Sequence, residues 1–279
     1  MKHKNVKICL AVCISLLLMP LSAVVKAEIL EWQGSFQQGS LLLGQLPEGY
    51  RASYDKQRLQ VTPKGQFLLG LGRQANTVIE LVLTDSEGIE TTEQFNVRER
   101  QYVIQRIEGV PQKTVTPRPK DVERIRSDSW LVKQARKDRT ESLDFLAGFQ
   151  RPLDGPITGV YGSQRFYNGI PKNPHYGVDY AAPTGTLVMA PASGVVRLAH
   201  RDLFYSGGTL IVDHGHGLSS TFLHLSDILV EEGMRVERGK PIAKVGATGR
   251  ATGPHLDWRM NWRQVRIDPV LVLQTLPVQ

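Results

Sequence analysis

Two short segments of this chain each place an imidazole close to a carboxylate. His175 and Asp179 are four positions apart around Gly177, a residue that lets the backbone pass close to a ligand. His255 and Asp257 are two positions apart, so in a strand both side chains lie on the same face. Nitrogen and oxygen ligands around one open position are typical of a catalytic zinc site. Either pair alone would suggest scattered polar groups, but together they predict one groove that holds all four side chains.

The other histidines are candidates for the remaining tasks of hydrolysis, which needs a base for water and a donor for the developing oxyanion. His224 alternates with apolar neighbours, so it is predicted to project from a strand. His214 and His216 flank a glycine; they could form a metal pair, but the glycine-rich segment favours a tight hairpin. His200 has no companion and is predicted to lie at the surface.

The elements that must position these residues are predicted to be strands. From residue 151 onward, Gly and Pro punctuate brief apolar runs, which indicates an all-β domain with tight turns and no helix over 151–279. Residues 28–110 contain short apolar runs separated by turn signals and predict a small β-sandwich-like accessory domain. Because that first domain contains no histidine, a binding or positioning role is favoured over a catalytic one.

Residues 111–150 are predicted to connect the two domains. Three prolines within 111–119 indicate a linker, and the pattern over 120 to about 145 predicts a helix. The apolar stripe of this helix comprises Val122, Ile125, Trp130, Leu131 and Ala135. The stripe either packs on the second domain, which is the favoured interpretation, or forms a spacer or lid beside the groove.

Residues 1–27 have the features of a secretory signal peptide. Lysines precede an apolar run over 8–21, and Val25 and Ala27 are the small residues expected before a cleavage site. The run is short for a membrane-spanning helix, so an uncleaved anchor is the minor alternative. The chain is therefore predicted to be exported and to have no membrane span after cleavage.

The charge and cysteine content narrow the class of protein further. The formal net charge is +7, from 34 basic and 27 acidic residues. The predicted signal peptide holds four Lys and no acidic residue, so its removal leaves 30 against 27, or +3. Such a mild charge is compatible with an anionic wall or envelope surface, and nucleic acid is not expected as a partner. Both cysteines, Cys9 and Cys13, lie in this segment, so a metal site of the mature chain must use His and carboxylates.

The region from about 152 to 273 resembles the lysostaphin-type zinc metallopeptidases, which are peptidase family M23 and are also called LytM domains. The motifs occur in family order: His-x-Gly-x-Asp at 175–179, Ala-Pro-x-Gly at 182–185, Asp-His-Gly at 213–215, Phe-x-His-Leu-Ser at 222–226 and Gly-x-Thr-Gly-x-x-Thr-Gly-Pro-His at 246–255. The preceding β-domain and helical segment also resemble exported bacterial members of this family.

This resemblance implies a role for each candidate residue. His175 and Asp179 match zinc ligands, and His224 and His255 match the catalytic histidines. The family closes its site with His-x-His, whose second His is the third ligand, whereas this chain has Asp257 there. Either Asp257 binds Zn²⁺ through oxygen in an active hydrolase, which is the favoured interpretation, or its shorter side chain fails to reach and the metal is lost. In the active form, His255 is expected to act as general base and His224 as oxyanion donor.

The function that the resemblance implies is an exported zinc endopeptidase that hydrolyses peptide cross-links of bacterial peptidoglycan. Its substrate would be the stem peptides, and its location the periplasm, with secretion as the alternative. A second hypothesis is a catalytically inactive LytM-like regulator that binds a cell-wall amidase or the wall itself, with a component of the divisome as another candidate partner. The third and least favoured is a passive wall- or glycan-binding module, for which two clustered His-Asp pairs would be needless.

Overall fold

The structure is a computed structural model that describes residues 30–108, 116–137 and 140–278. The predicted signal peptide and most of the proline-rich linker therefore lie outside the described residues. Within the described ranges, no helix is long and apolar enough to cross a membrane.

The first part of the chain forms two antiparallel sheets over a shared apolar core. Its strands are β1 Glu31–Gln33, β2 Leu41–Gln45, β3 Arg51–Tyr54, β4 Gln57–Arg58, β5 Gln66–Gly70, β6 Val78–Thr84, β7 Glu90–Asn96 and β8 Ile104–Ile107. One sheet has the order β1-β2-β5 and the other the order β4-β3-β6-β7. Along β6, Ile79, Leu81 and Leu83 are buried while Val78 and Glu80 are exposed, which is the period of a half-buried strand. The mainly-β prediction for this segment is confirmed.

The second part is built on one large antiparallel sheet. Its strands are β9 Ile157–Gly159, β10 Gln164–Tyr167, β11 Ile170–Pro171, β12 Gly177–Ala181, β13 Leu187–Met189, β14 Gly194–Leu203, β15 Gly207–Asp213, β16 Leu218–Leu225, β17 Asp227–Ile228, β18 Arg235–Val236, β19 Pro241–Lys244, β20 His255–Trp262 and β21 Val265–Ile267. The large sheet has the order β18-β14-β15-β16-β20-β12-β9, and β21 pairs with β20. The two segments that carry the His-Asp pairs therefore lie side by side, on β12 and β20.

Two α-helices are present in the described residues: α1 Val122–Ala135, which follows a 3-10 turn at Pro119–Asp121, and α2 Pro269–Thr275. The predicted helix to about residue 145 is too long, because the chain after α1 bonds to the second domain instead. The Thr140 carbonyl accepts from the His216 amide at 2.9 Å, and its hydroxyl donates to Asp213 at 2.7 Å. The prediction of no helix after residue 151 is wrong, since α2 begins with Asp268 as N-cap and Pro269 at its first turn.

Near its C-terminal end, helix α1 packs on strands β14 and β15 of the large sheet. Leu131, Val132 and Ala135 contact a small cluster of buried residues, Leu198, Leu203 and Ile211. Trp130 points to solvent with 59% of its surface exposed, so the predicted stripe is only partly used. The helix ends beside the groove described below.

The accessory part is fixed to the second domain by packing and by strand pairing. Strand β8 pairs in parallel with β10, which places a strand of the first part in a sheet of the second. Gly70 lies so close to Trp262 that an added Cβ would be 2.8 Å from the Trp262 Cβ. Arg100 pairs with buried Asp268 at 2.9 Å. Because both parts share one apolar core, the accessory sheets are a fixed neighbour of the site.

Candidate metal centre and active site

Strand β20 separates a groove face from a core face by simple alternation. Asp257, Arg259 and Asn261 line the groove. The alternate residues Leu256, Trp258, Met260 and Trp262 are buried in the core. Burial of each such side chain contributes about 1.5–3 kcal/mol to stability, so the core face fixes the strand's rotation. A shift by one residue would turn the groove residues into the core, which is why the register is strongly specified.

Three predicted ligands converge on one point. One donor atom from each of His175, Asp179 and Asp257 lies within 4.8 Å of the others, and all three residues are buried. Asp179 on β12 and Asp257 on β20 are directly opposed partners in the strand register. Two like charges in that position destabilise a sheet unless a cation offsets them. The arrangement therefore requires positive charge at or beside the cluster.

The donor atoms of this cluster fit a metal ion. The Nε2 atom of His175 lies 3.1 Å from Oδ1 of Asp179, but the two are not aligned for a hydrogen bond. Among the described residues, neither ring nitrogen of His175 nor Oδ1 of Asp179 has a hydrogen-bond partner. Buried polar atoms without partners are costly, and a cation between them would satisfy nitrogen and oxygen together. His175, Asp179 and Asp257 are thus suited to hold zinc.

Two arginines contact the carboxylates of the cluster. Arg165 donates from Nη2 to Oδ2 of Asp179 at 2.9 Å, leaving Oδ1 toward His175. Arg259 holds Asp257 at both oxygens, with Nε 2.9 Å from Oδ1 and 3.1 Å from Oδ2. The two carboxylates therefore differ in how many oxygens are free for a metal. Asp179 keeps one oxygen free, whereas Asp257 would share both oxygens between a metal and Arg259.

The electrostatics of the cluster keep both carboxylates ionised. Burial raises the pKa of Asp257, but the charges of Arg259 and His175 outweigh it and hold that pKa below its ordinary value. Burial and the neighbouring Asp257 raise the pKa of Asp179, yet His175 and Arg165 bring the net direction down. Anionic oxygens are the form that binds a metal, so the two carboxylates need not lose protons before a cation binds.

The two predicted catalytic histidines face each other beside the cluster, with ring centroids 4.8 Å apart. Nδ1 of His224 lies 2.8 Å from the Thr248 carbonyl, and Nδ1 of His255 lies 2.8 Å from the Gly253 carbonyl. A carbonyl accepts from N–H, which assigns the proton to Nδ1 in both rings and leaves Nε2 for a substrate or water. Burial lowers the pKa of His224 to about 4, with His255 adding to that effect and Asp257 opposing it.

His224 also has an unusual backbone conformation, with φ at +64°. A residue with a side chain rarely adopts this left-handed region, and such conformations concentrate at functional sites. It ends the regular pairing of β16 and turns the imidazole toward the Thr248 carbonyl. The sequence predicted a strand here but not this turn.

The remaining histidines of the second domain are not part of the metal cluster. His214 is fully buried, with Nδ1 2.7 Å from the Ser193 carbonyl and Nε2 2.9 Å from the Ser220 hydroxyl. His216 lies in the tight turn before β16, with φ at +49°, so the hairpin interpretation is confirmed. His200 is partly exposed on β14. Tyr161 is also buried, and it donates its hydroxyl to the Arg266 carbonyl at 2.8 Å.

The arginines of the groove were missed from the sequence, among them Arg136, Arg165 and Arg259. Arg259 was accessible to the same argument that linked His255 to Asp257, since it is two positions further along the same face. Arg165 and Arg136 come from β10 and from the end of α1, and their approach depends on tertiary packing. No local pattern marks them.

The backbone of Gly159 lies close to the Asp179 carboxylate, and only glycine leaves room for this approach. It faces Asp179 in the strand register, and an added Cβ would lie 2.7 Å from Asp179 Cγ and closer still to Oδ2. We expect Gly159→Ala to displace this carboxylate and weaken zinc binding at least about tenfold, because support of a ligand typically affects metal affinity 10- to 100-fold. Gly253→Ala is the control, since a Cβ there meets nothing within 4 Å. Competitive zinc titration would show equal affinities if Gly159 has no such role.

The antiparallel strands of the second domain thus bring His and Asp donor atoms together in one groove. Residues 173–269 match the model of peptidase family M23. A crystal structure of a putative peptidase M23 from Pseudomonas aeruginosa superposes with a TM-score of 0.68 at 29% identity, covering 88% of this chain and 97% of that one. In this domain the chain is similar to peptidase family M23, and the predicted family resemblance and fold class are confirmed.

Two curated relatives carry more specific names. The peptidoglycan DD-endopeptidase ShyA of Vibrio cholerae is 44% identical over 87 residues, which are 31% of this chain and 20% of that protein. The DD-carboxypeptidase/endopeptidase Mpg of Neisseria meningitidis is 40% identical over 103 residues, or 37% and 24%. The chain thus spans about a fifth to a quarter of the length of these relatives.

Proposed function

We propose that this protein is an exported zinc endopeptidase that hydrolyses peptide cross-links of bacterial peptidoglycan. The observation that carries the proposal is the convergence of His175, Asp179 and Asp257 beside the His224–His255 pair. Among the described residues, the buried ring nitrogens of His175 and Oδ1 of Asp179 have no hydrogen-bond partner. The relative ShyA is a peptidoglycan DD-endopeptidase, which supports the same substrate here. The features of residues 1–27 support export to the periplasm, where stem peptides are the proposed substrate.

Each residue has a proposed part in the reaction. Zinc, when bound by the three ligands, would polarise a peptide carbonyl and make a water more acidic. His255 accepts the proton of the attacking water at Nε2, because Nδ1 is committed to the Gly253 carbonyl. The same atom then returns the proton to the leaving amine. Thus His255 acts first as base and then as acid.

His224 is proposed to stabilise the oxyanion of the tetrahedral intermediate. Its Nδ1 contact with the Thr248 carbonyl means that a donor at Nε2 requires the imidazolium form. Asp257 favours that form, whereas burial opposes it. Negative charge developing on the substrate adds to the effect of Asp257, so the hydrogen bond is strongest at the intermediate, where it accelerates the reaction.

The proposal is tested by the release of fragments from purified peptidoglycan, followed by chromatography and mass spectrometry. The metal-loaded chain should cleave, and His255→Ala should be at least about 100-fold slower, since general acid–base catalysis contributes 10²- to 10⁴-fold. His200→Ala is the matched control, a histidine outside the groove. Undiminished cleavage by His255→Ala, or none by the metal-loaded wild type, would contradict the proposal, and the latter would favour the regulator.

A further inference from the structure

The groove that contains the site is lined by more basic than acidic side chains. It has a volume of about 440 Å³, and its described lining includes Arg136, Arg165, Lys172, Arg250, Arg259 and Arg266. The two carboxylates of the metal cluster pair with Arg165 and Arg259. Six basic groups against these two carboxylates leave a formal excess of four positive charges. A concave surface with one sign of charge concentrates ions of the opposite sign.

Arg136 contributes to this excess from outside the M23 domain. It directly follows α1, and its Nη2 donates to the Thr221 hydroxyl on β16 at 2.8 Å. Its Nε is buried and has no hydrogen-bond partner among the described residues. Burial, followed by the charges of Arg266 and Arg259, lowers the pKa of Arg136 to about 9. A buried guanidinium with arginines as its charged neighbours is unfavourable unless an anion joins it.

Arg266 approaches the same part of the groove from β21. Its guanidinium lies 4.3 Å over the ring of Tyr176, the residue that follows the ligand His175. Burial and the charge of Arg259 lower the pKa of Arg266 as well. Arg136 and Arg266 thus both line the groove that contains His175 and Asp257. A guanidinium can bind a carboxylate bidentately.

We propose that the groove selects peptides bearing carboxylate groups, and that Arg136 is a specificity-determining residue that binds one of these carboxylates. This inference rests on the proposed function for the identity of the ligand as a peptide. It adds that α1, through Arg136, completes a substrate site which the peptidase domain alone would lack. The positive excess also explains how an anionic ligand can reach a site built around two aspartates.

The test compares two forms of one peptide: a peptidoglycan stem peptide with its free carboxylates, and the same peptide with those carboxylates amidated. Binding is measured by calorimetry in a His255→Ala background, which prevents turnover. We expect the acid to bind about tenfold more tightly than the amide, which is the scale of one charge-assisted hydrogen bond. Arg136→Met should remove that preference and leave affinity for the amide unchanged. Arg136→Lys should retain part of it.

Arg126→Met is the matched control, because Arg126 is an exposed arginine on the same helix. Thermal unfolding shows whether each variant is folded. If Arg136→Met does not fold, the preference for the acid is measured in Arg136→Lys instead. Equal binding of acid and amide by the parent, or an equal loss of both in Arg136→Met, would overturn the inference. Wild-type hydrolysis is measured in parallel: selective binding without cleavage contradicts the proposed function alone, whereas cleavage without selectivity contradicts this inference alone.

Discussion

Asp257→Ala should abolish stoichiometric zinc binding, and Asp257→His should retain it. Asp257 is one of three buried donors within 4.8 Å, so its removal leaves two ligands, too few for a catalytic zinc site. It also leaves Arg259 beside the cluster without the carboxylate that it contacts. Since even the residues that support metal ligands affect affinity 10- to 100-fold, we expect a loss of at least about 100-fold. Elemental analysis and competitive titration of the purified protein measure it.

Asp257→Asn separates the charge of this residue from its shape. The amide keeps the size and one oxygen but loses the negative charge, so zinc affinity should lie between that of the wild type and Asp257→Ala. A histidine at this position is neutral and offers a ring nitrogen, the donor that the family pattern has there. If Asp257→Ala binds zinc as tightly as the wild type, Asp257 is not a ligand and the site is a two-residue one.

One part of the metal cluster could be predicted from local sequence spacing, and another part could not. The spacing of His255 and Asp257 was sufficient to place both on one face of a strand, because a strand has a fixed period of two. That Asp179 is the register partner of Asp257 could not be read locally. It depends on which strands pair, and here the family motifs supplied what the spacing did not.

The two helices were mispredicted in opposite ways: one was missed, and the other was predicted too long. α2 was missed although Asp268 and Pro269 are an ordinary helix start, because the short apolar run after them resembles a strand. The predicted helix over 120–145 was too long because tertiary bonds of Thr140 compete with helix formation. Trp130 was assigned to the packed stripe but is exposed, while Val132 packs instead. Periodicity therefore identified the first helix but not its buried face.

The groove arginines were the largest group of site residues that the sequence did not predict, and there is a physical reason for this. A search for metal ligands or catalytic groups gives no weight to arginine, which cannot bind a metal or exchange protons at neutral pH. Their effect comes from long-range charge, and that depends on positions in space. Arg165 and Arg259 are next to the carboxylates in the fold, and they determine how much negative charge a metal would meet.

Arg259→Met should increase the affinity for zinc at least about tenfold. An arginine that only oriented a ligand would leave one carboxylate oxygen to the metal, as Arg165 does with Asp179. Arg259 instead contacts both oxygens of Asp257. A unit charge a few ångströms from a divalent ion also opposes binding by several kcal/mol at an effective dielectric constant of about 20. Partial relief of that repulsion already corresponds to tenfold, or about 1.4 kcal/mol.

The direction of the change distinguishes two roles for Arg259. If it orients Asp257, as partners of metal ligands commonly do, Arg259→Met weakens zinc binding 10- to 100-fold, and our expectation is wrong. If Arg259 competes with the metal, the zinc affinity of Arg259→Met rises. Arg259→Lys keeps the charge but loses the bidentate contact, so its zinc affinity should lie between those of the wild type and Arg259→Met. Arg201→Met is the control, an exposed arginine that pairs with Asp227 and does not line the groove. A gain in affinity would mean that the charge of one arginine sets the zinc concentration at which this site becomes active.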